Sequence, residues 1–152
     1  MKTKSQKIKI GKLNWICFGL AGLMILLSAC GGAKQINLNF QGTQEMNKQQ
    51  SCVVYVFQLR TDTNFLNASL ESFWEQGRES FADDIVEERK YQLVPGENRT
   101  DLLTLKEDTV YLGAVGDFNE PDKEGWRQVY SLEKKPPKQL YIVIGYNRLD
   151  IQ

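Results

Sequence analysis

Few side chains in this chain of 152 residues could carry covalent or acid–base chemistry. It contains three cysteines, Cys17, Cys30 and Cys52, and no histidine. Without histidine, Ser-His-Asp and Cys-His nucleophile systems cannot form, and zinc sites lose their usual nitrogen ligand. General acid–base catalysis near neutral pH is also disfavoured. We therefore predict that the chain is not an enzyme and uses no cofactor or metal, and that its important chemistry lies on a cysteine.

Cys30 stands where covalent modification is expected. The sequence Leu27-Ser28-Ala29-Cys30 resembles the lipobox of bacterial lipoproteins, in which leucine and two small residues precede the cysteine that receives the lipid. Five lysines without an acidic residue and an apolar run from Trp15 to Leu27 come before it. A basic head, an apolar segment of this length and small residues at the cleavage site are typical of a secretory signal. We predict a lipoprotein signal peptide over residues 1–29; the alternative is an uncleaved anchor in which Cys30 has no role.

Lipid on Cys30 would decide where the protein is held. The thiol would carry a diacylglycerol and the freed amine a third chain, and two or more chains give stable membrane anchoring. The residue after the cysteine is Gly31. In enteric-type sorting, an aspartate at that position resembles a signal for retention in the inner membrane, and this chain lacks it. We therefore expect an outer-membrane protein that faces the periplasm, with residues 30–34 as its lipidated tether.

Removal of residues 1–29 changes the charge of the chain. The full sequence has 19 basic and 19 acidic residues. The signal takes away five lysines and no acid, so residues 30–152 keep 14 basic and 19 acidic residues, a net charge of −5. Such a chain is not suited to nucleic acid, which requires clusters of lysine and arginine. The remaining 123 residues suffice for one domain, in which Cys52 is most simply a small buried apolar residue without a disulfide partner.

Alternating and apolar segments separated by turn signals predict seven or eight strands. Ile36, Leu38 and Phe40 alternate with polar residues, which indicates a half-buried first strand. Residues 52–59 are apolar on both faces except at Gln58, as in a central strand that is covered on both sides. Further strands are predicted at residues 85–94, 99–105, 110–118, 126–132 and 140–146, with an extension at 148–152. We predict an all-β fold, an antiparallel β-sandwich over residues 35–152.

A helical insert at about residues 62–82 could cover the outer face of the central strand. Its apolar residues recur at helical spacing; they are Phe65, Leu66, Leu70, Phe73, Trp74 and Phe81. The acidic cluster that follows is expected to be a solvated face rather than a metal site; it contains Asp83, Asp84, Glu87 and Glu88.

The segment between the first two strands, residues 41–51, is polar and shows no periodic pattern. Hairpin connections usually take two to five residues, and long loops in compact domains are often functional. The pattern alone leaves a flexible linker and a functional loop equally open. Met46 is the one large apolar residue in the segment, and we expect it to serve at an interface, with a loop that adds little to the core.

Motifs along the chain, in this order, resemble the type VI secretion lipoprotein family TssJ, also called SciN. They are the Asn-containing loop 41–51, Phe57-Gln58-Leu59, the Phe-led insert from Phe65 to Trp74, Leu93-Val94-Pro95-Gly96-Glu97-Asn98-Arg99, Tyr111-Leu112-Gly113 with Phe118, and Trp126-Arg127-Gln128-Val129. Each motif alone is weak, but their order and spacing together are specific. Gly116 and Asn119 depart from the family pattern, and we expect neither to touch the anchor or the loop.

The resemblance implies a transthyretin-like sandwich with a helical addition and an outer-membrane lipoprotein of the secretion machine's membrane complex. Its partner would be the periplasmic C-terminal region of TssM, contacted chiefly through the loop between the first two strands. On this sequence the partner-binding residues would be Gln41, Gly42, Thr43, Gln44, Glu45, Met46, Asn47, Lys48 and Gln49. The role would be tethering, without a small-molecule substrate.

Two other classes of protein compete with this interpretation. A pilotin-like or chaperone lipoprotein for another outer-membrane secretion component would share the anchor and the small β fold. It would need an exposed apolar groove for a peptide, which we would expect along Phe73 and Trp74. The second class is a transthyretin-like hydrolase. The chemistry of that class resembles one that needs histidines, and this chain has none.

Overall fold

The computed structural model describes residues 34–75 and 78–152, so the signal segment and Cys30 lie outside the described residues. Eight strands follow one another in this part of the chain. They are β1 (Gln35–Gly42), β2 (Cys52–Leu59), β3 (Ile85–Leu93), β4 (Asn98–Thr104), β5 (Tyr111–Asp117), β6 (Arg127–Ser131), β7 (Gln139–Ile144) and β8 (Leu149–Ile151). The helical segments are short: a turn at Met46–Gln49, α1 (Thr63–Asn67), α2 (Leu70–Glu75) and a 3₁₀ segment at Glu79–Asp84.

The strands form two four-stranded sheets, and the predicted β-sandwich is confirmed. One sheet has the order β4-β1-β7-β8, and the other has the order β3-β2-β5-β6. Adjacent strands are antiparallel except β1 and β7, which run parallel from the pair Asn37–Gln139 to the pair Gly42–Ile144. Side-chain alternation is the same in parallel and antiparallel strands, so it could not indicate this pair. The parallel pair is possible because most of the chain intervenes between β1 and β7 as a crossover.

The core lies between the sheets and follows the alternation of β1. Ile36, Leu38 and Phe40 are 0–1% exposed, while the polar residues between them face outward. Val54 and Val56 of β2 are likewise buried. Burial of apolar surface at about 25 cal/mol per Å² is the main stabilising contribution in such a core.

Gln58 is a buried polar residue of β2, and its amide joins the two sheets. Its Oε1 accepts hydrogen bonds from the Lys106 backbone N–H at 2.8 Å and from the Thr109 hydroxyl at 2.6 Å. Its Nε2 donates to the Thr104 carbonyl oxygen at 3.0 Å and to Glu87 Oε2 at 3.1 Å. A buried amide with both atoms paired avoids the cost of an unsatisfied polar group.

The outer face of β2 is covered by the segment between β2 and β3. The Phe57 ring meets the rings of Phe65, Phe73 and Phe81 at centroid distances of 5.7, 6.2 and 5.8 Å. All four phenylalanines are at most 3% exposed. Arg127 of β6 donates to the carbonyl oxygens of Phe65, Leu66 and Ala68, which fixes the end of α1.

A polar network joins the edge strands β3 and β4, which belong to different sheets. Arg89 Nε donates to Glu87 Oε1 at 2.8 Å, and its terminal nitrogen reaches Asp101 Oδ2 at 3.3 Å. The Tyr91 hydroxyl donates to the same Asp101 oxygen at 2.7 Å. Burial, with Asp101 nearby, raises the pKa of Tyr91 to about 12. Burial favours a higher pKa for Glu87, but its bonds and ion pairs with Arg89 and Lys106 bring the pKa below its ordinary value.

The expectation of a fully solvated acidic cluster is wrong for Asp84. Asp84 is 8% exposed and accepts a hydrogen bond from Asn64 Nδ2 at 2.8 Å. Glu87 is paired with Arg89, as described above. The chain turns from the insert into β3 at this point, and the fold of the insert brings Asn64 back to Asp84. Within the two described ranges, no three histidine, cysteine or acidic residues are grouped so that they could hold a metal ion.

Candidate partner-binding end of the sandwich

The strand β1 runs from one end of the sandwich to the other. Lys34 and the start of β1 lie at one end, together with the connections 60–84, 105–110 and 132–138. The end of β1 lies at the opposite end, together with the loops 43–51, 94–97, 118–126 and 145–148. We call this second end the loop end. Eight residues of extended chain separate the two ends by roughly 26 Å.

Gln41 and Gly42, predicted as loop residues, are the last two residues of β1. Gln41 pairs with Asn98 and Val143 on the neighbouring strands. The Gly42 N–H donates to the Glu97 carbonyl oxygen at 2.8 Å. A Cβ on Gly42 would lie 3.0 Å from Met46 Sδ and even closer to a neighbouring carbonyl oxygen, so the missing side chain lets the loop pack closely. The loop itself begins at Thr43.

Met46 does not lie at the surface, and the expectation that it serves at an interface is wrong. It is 0% exposed and belongs to the hydrophobic core. The physical reason is that the loop folds back over the loop end, where its one large apolar side chain is removed from water. For the same reason, the expectation that the loop adds little to the core is also wrong.

Asn47, Lys48 and Gln49 form a left-handed turn in the middle of the loop. Their φ angles are +46°, +58° and +63°. The left-handed conformation costs an L-residue about 1–2 kcal/mol, and asparagine tolerates it best after glycine. Three such residues in succession must therefore be held in place by their surroundings.

The side chain of Asn47 does much to keep these residues in place, because its hydrogen bonds connect the loop to its neighbours. It is 3% exposed. Its Nδ2 donates to the Ser51 carbonyl oxygen at 2.7 Å, and its Oδ1 accepts from the Asn119 backbone N–H at 2.8 Å. Its own N–H donates to the Gly145 carbonyl oxygen at 3.1 Å. Asn47 thus joins loops 43–51, 118–126 and 145–148.

Asn119 was not expected to touch the loop, and the structure corrects that expectation. Besides its bond to Asn47, Asn119 donates from Nδ2 to Gln50 Oε1 at 3.1 Å. The next residue, Glu120, forms a hydrogen-bonded salt bridge with Lys48. The hydrogen bond from Lys48 to Glu120 raises the pKa of Lys48 above its ordinary value. Asn119 lies 72 positions after Asn47, and no local pattern connects the two loops.

The outward surface of the loop end carries an exposed aromatic residue with polar residues next to it. Tyr146, from loop 145–148, is 49% exposed. It lines a shallow cleft with Glu45, Lys48 and Gln49. Thr43 and Gln44 extend the exposed surface next to them. An aromatic anchor with polar residues around it is a common arrangement at protein–protein interfaces.

Cys52 is buried and unreactive. It is 1% exposed, and its thiol donates to the Asp117 carbonyl oxygen at 3.5 Å. Burial raises the pKa of Cys52 to about 12, so the reactive thiolate is not formed near neutral pH. The predicted lipidation residue, Cys30, lies outside the described residues.

The apolar groove expected for a pilotin-like protein is absent at Phe73. That residue is 3% exposed because Phe57, Phe81 and Trp126 surround it, with ring centroids at 5.5–6.2 Å. Trp74 is 39% exposed, but its ring packs edge-on against Phe73 at 4.8 Å. Helical spacing had indicated apolar contact for these side chains, and the structure shows an aromatic cluster that encloses Phe73 and leaves Trp74 partly exposed at its rim. In the described part of the chain, none of the helices has the length and apolar character needed to cross a membrane.

The fold defines a class of protein: a small β-sandwich with a helical addition on one sheet. The chain belongs to the T6SS-SciN family, described as type VI secretion lipoprotein, with VasD, EvfM and TssJ among its names, since the family model matches residues 32–149. The family resemblance stated from the sequence motifs is therefore confirmed. No curated protein matches the chain.

Solved structures share the fold at low sequence identity. The lipoprotein TssJ1 from Pseudomonas aeruginosa is 24% identical, with a TM-score of 0.69 over 79% of this chain and 95% of that one. A chain in a structure described as a type VI membrane complex is 23% identical, with a TM-score of 0.72 over 79% and 98%. A chain in a structure described as the TssM C-terminal domain from EAEC is 24% identical, with a TM-score of 0.67 over 78% and 98%.

Proposed function

We propose that this type VI secretion lipoprotein tethers the secretion membrane complex to the outer membrane. Residues 1–29 are the signal that is removed, Cys30 carries the lipid, and residues 30–34 connect it to the domain at residues 35–152. Gly31 after the cysteine favours the outer membrane. The loop end of the domain binds the C-terminal periplasmic region of TssM.

The observation that carries this proposal is the direction of β1. The chain arrives from the Cys30 side at the end of the sandwich where Lys34 lies, and the loop end is the opposite one. A protein attached to lipid at one end and to a partner at the other connects the two. Placing the partner site away from the tether leaves it accessible when the lipid is inserted in a membrane.

The predicted binding residues divide into two groups by exposure. Thr43, Gln44, Glu45, Lys48 and Gln49 present side chains at the surface or partly so, as does Gln41 at the end of β1. Gly42, Met46 and Asn47 are buried and support the others from below. Asn119, Glu120 and Tyr146 border the same surface and extend the proposed contact area.

TssM as the partner is supported by the family and by two similar structures. One is described as a type VI membrane complex, and another as the TssM C-terminal domain. The closed aromatic cluster around Phe73 gives the pilotin-like alternative no comparable support.

The experiment measures binding of unlipidated residues 31–152 to the periplasmic C-terminal region of TssM by calorimetry. The test variant combines Glu45→Ala and Tyr146→Ala, two exposed residues of the loop-end cleft. We expect it to weaken binding by about tenfold or more, as removal of an interface anchor does, with an unchanged melting temperature.

A matched control uses the same residue types away from the loop end. Glu107→Ala with Tyr141→Ala removes an exposed glutamate and a tyrosine that is 40% exposed. We expect the control to bind like the unmodified protein. Equal loss in both variants, or none in either, would place the partner site elsewhere on the domain.

A further inference from the structure

The left-handed turn at Asn47, Lys48 and Gln49 is costly, and it occurs at the proposed binding surface. Residues held in unfavourable backbone conformations cluster at functional sites, where surrounding contacts keep them in place. Here the second and third residues of the turn, Lys48 and Gln49, line the cleft with Tyr146. The conformation of the turn therefore sets where these two side chains point.

The contacts that keep the turn converge on the amide of Asn47. Both of its side-chain polar atoms and its backbone N–H are used, with bonds of 2.7, 2.8 and 3.1 Å to three different segments. Asn47 is itself almost fully buried, so it offers little surface to a partner. Any effect of Asn47 on binding must therefore act through the residues it places.

We propose that Asn47 is a positioning residue that fixes loop 43–51 in its binding conformation before the partner arrives. This inference rests on the proposed function. The conformational entropy of the loop is lost when the domain folds, so less entropy is lost when the partner binds. Without the Asn47 bonds, Lys48 and Gln49 would sample many conformations, and the partner would have to select one of them.

The test compares Asn47→Gly with Gln49→Gly in the soluble domain. Glycine at position 47 keeps the left-handed backbone accessible and removes the side-chain bonds; the backbone freedom that it adds is matched by glycine at position 49. Glycine at position 49 relaxes the same turn but leaves the Asn47 bonds intact. Hydrogen exchange of the Met46 amide, which donates to the Thr43 carbonyl oxygen and not to Asn47, reports on the order of the loop. Exchange of β1 and β5 amides reports on the fold, and calorimetry reports on binding to the TssM region.

For Asn47→Gly we expect exchange at Met46 to rise roughly tenfold because the loop is less ordered, and affinity to fall roughly tenfold because the binding entropy is less favourable. Exchange in β1 and β5 should stay unchanged. Gln49→Gly should keep the slow exchange at Met46. Asn47→Ser, which removes the amide without introducing a charge, should change both readouts in the same direction and serves if Asn47→Gly does not fold.

Two results would overturn the inference. One is unchanged exchange at Met46 in Asn47→Gly, since Asn47 would then not hold the turn. The other is faster exchange with undiminished affinity, which would make Asn47 a purely structural residue. Failure of the unmodified domain to bind the TssM region is a different result, because it rejects the proposed function itself.

Discussion

The ring of Phe65 packs directly over Gly113, so that a Cβ added to this glycine would lie 2.8 Å from the ring. Phe65 belongs to the helical insert and Gly113 to the middle of β5, and both are buried. Because Gly113 has no side chain, the ring of Phe65 can approach β5 closely, and the insert lies flat on the sheet. It also stands in the Tyr111-Leu112-Gly113 motif, for which this contact gives a physical reason.

We predict that Gly113→Ala destabilises the domain by about 1–3 kcal/mol, as overpacking of a filled core does. Gly145→Ala is a matched control, because the nearest atom to its added Cβ would be 3.4 Å away, an ordinary contact. Urea denaturation of both variants measures the difference. Equal midpoints would show that Phe65 moves aside without cost.

Met46→Ala should destabilise the domain by about 2–5 kcal/mol, the usual cost of truncating a fully buried methionine. Its neighbour Glu45 is exposed, so Glu45→Ala should leave the free energy of unfolding nearly unchanged. Chemical denaturation of the two variants compares buried and exposed positions in one loop. A small effect of Met46→Ala would mean that the loop contributes little to the core after all.

Gln49→Gly should stabilise the domain by up to about 1 kcal/mol, since glycine removes left-handed strain that exceeds its own entropic cost. The opposite is expected for Gln41→Gly in β1, which should destabilise by about 0.5–1 kcal/mol. Both glutamines are exposed, so the pair separates backbone strain from side-chain contacts. A lower melting temperature for Gln49→Gly would contradict the argument.

Acid should weaken the edge of the sandwich at Glu87. Because its pKa is lowered in the folded state, Glu87 contributes stability above its ordinary pKa, and this contribution is lost as the pH falls through the folded pKa. Unfolding curves measured from neutral to acidic pH should therefore show a smaller loss of stability for Glu87→Gln than for the unmodified domain. Parallel losses in both proteins would assign the acid sensitivity to other carboxylates.

Cys30→Ser should abolish lipidation, because serine offers no thiol for a thioether. The variant should leave the membrane fraction or accumulate as an unprocessed precursor, whereas Cys17→Ser, within the predicted signal, should be lipidated and processed normally. Labelling of cells with a fatty acid and membrane fractionation measure both outcomes. Mature Cys30→Ser protein held stably in the outer membrane would disprove the anchor.

The fold was predictable from the sequence where burial repeats along a strand. The alternation of Ile36, Leu38 and Phe40 indicated one buried face, and the apolar run at residues 52–59 indicated a strand covered on both sides. Both patterns arise from side-chain geometry within one element. Alternation carries no information on strand direction, and so the parallel pairing of β1 with β7 was not predictable from it.

The site was only partly predictable, because it depends on contacts between distant loops. The length and polarity of the segment at residues 41–51 drew attention to it, but no local pattern shows that Met46 enters the core. Nor does any pattern show that Asn47 meets Asn119. Loops gain their conformation from what they pack against, and in this protein that surface is assembled from three other connections.

The placement of β1 also has a mechanical consequence for a tether. Force applied between a lipid at the Lys34 end and a partner at the loop end would act along β1, which is paired with β4 on one side and β7 on the other. The inter-strand hydrogen bonds lie across that direction. They would be loaded together in shear, rather than broken one after another as in the peeling of an edge strand. Under the proposed tethering, a pull from the membrane would therefore load the first strand of the domain in the direction in which its hydrogen bonds resist together.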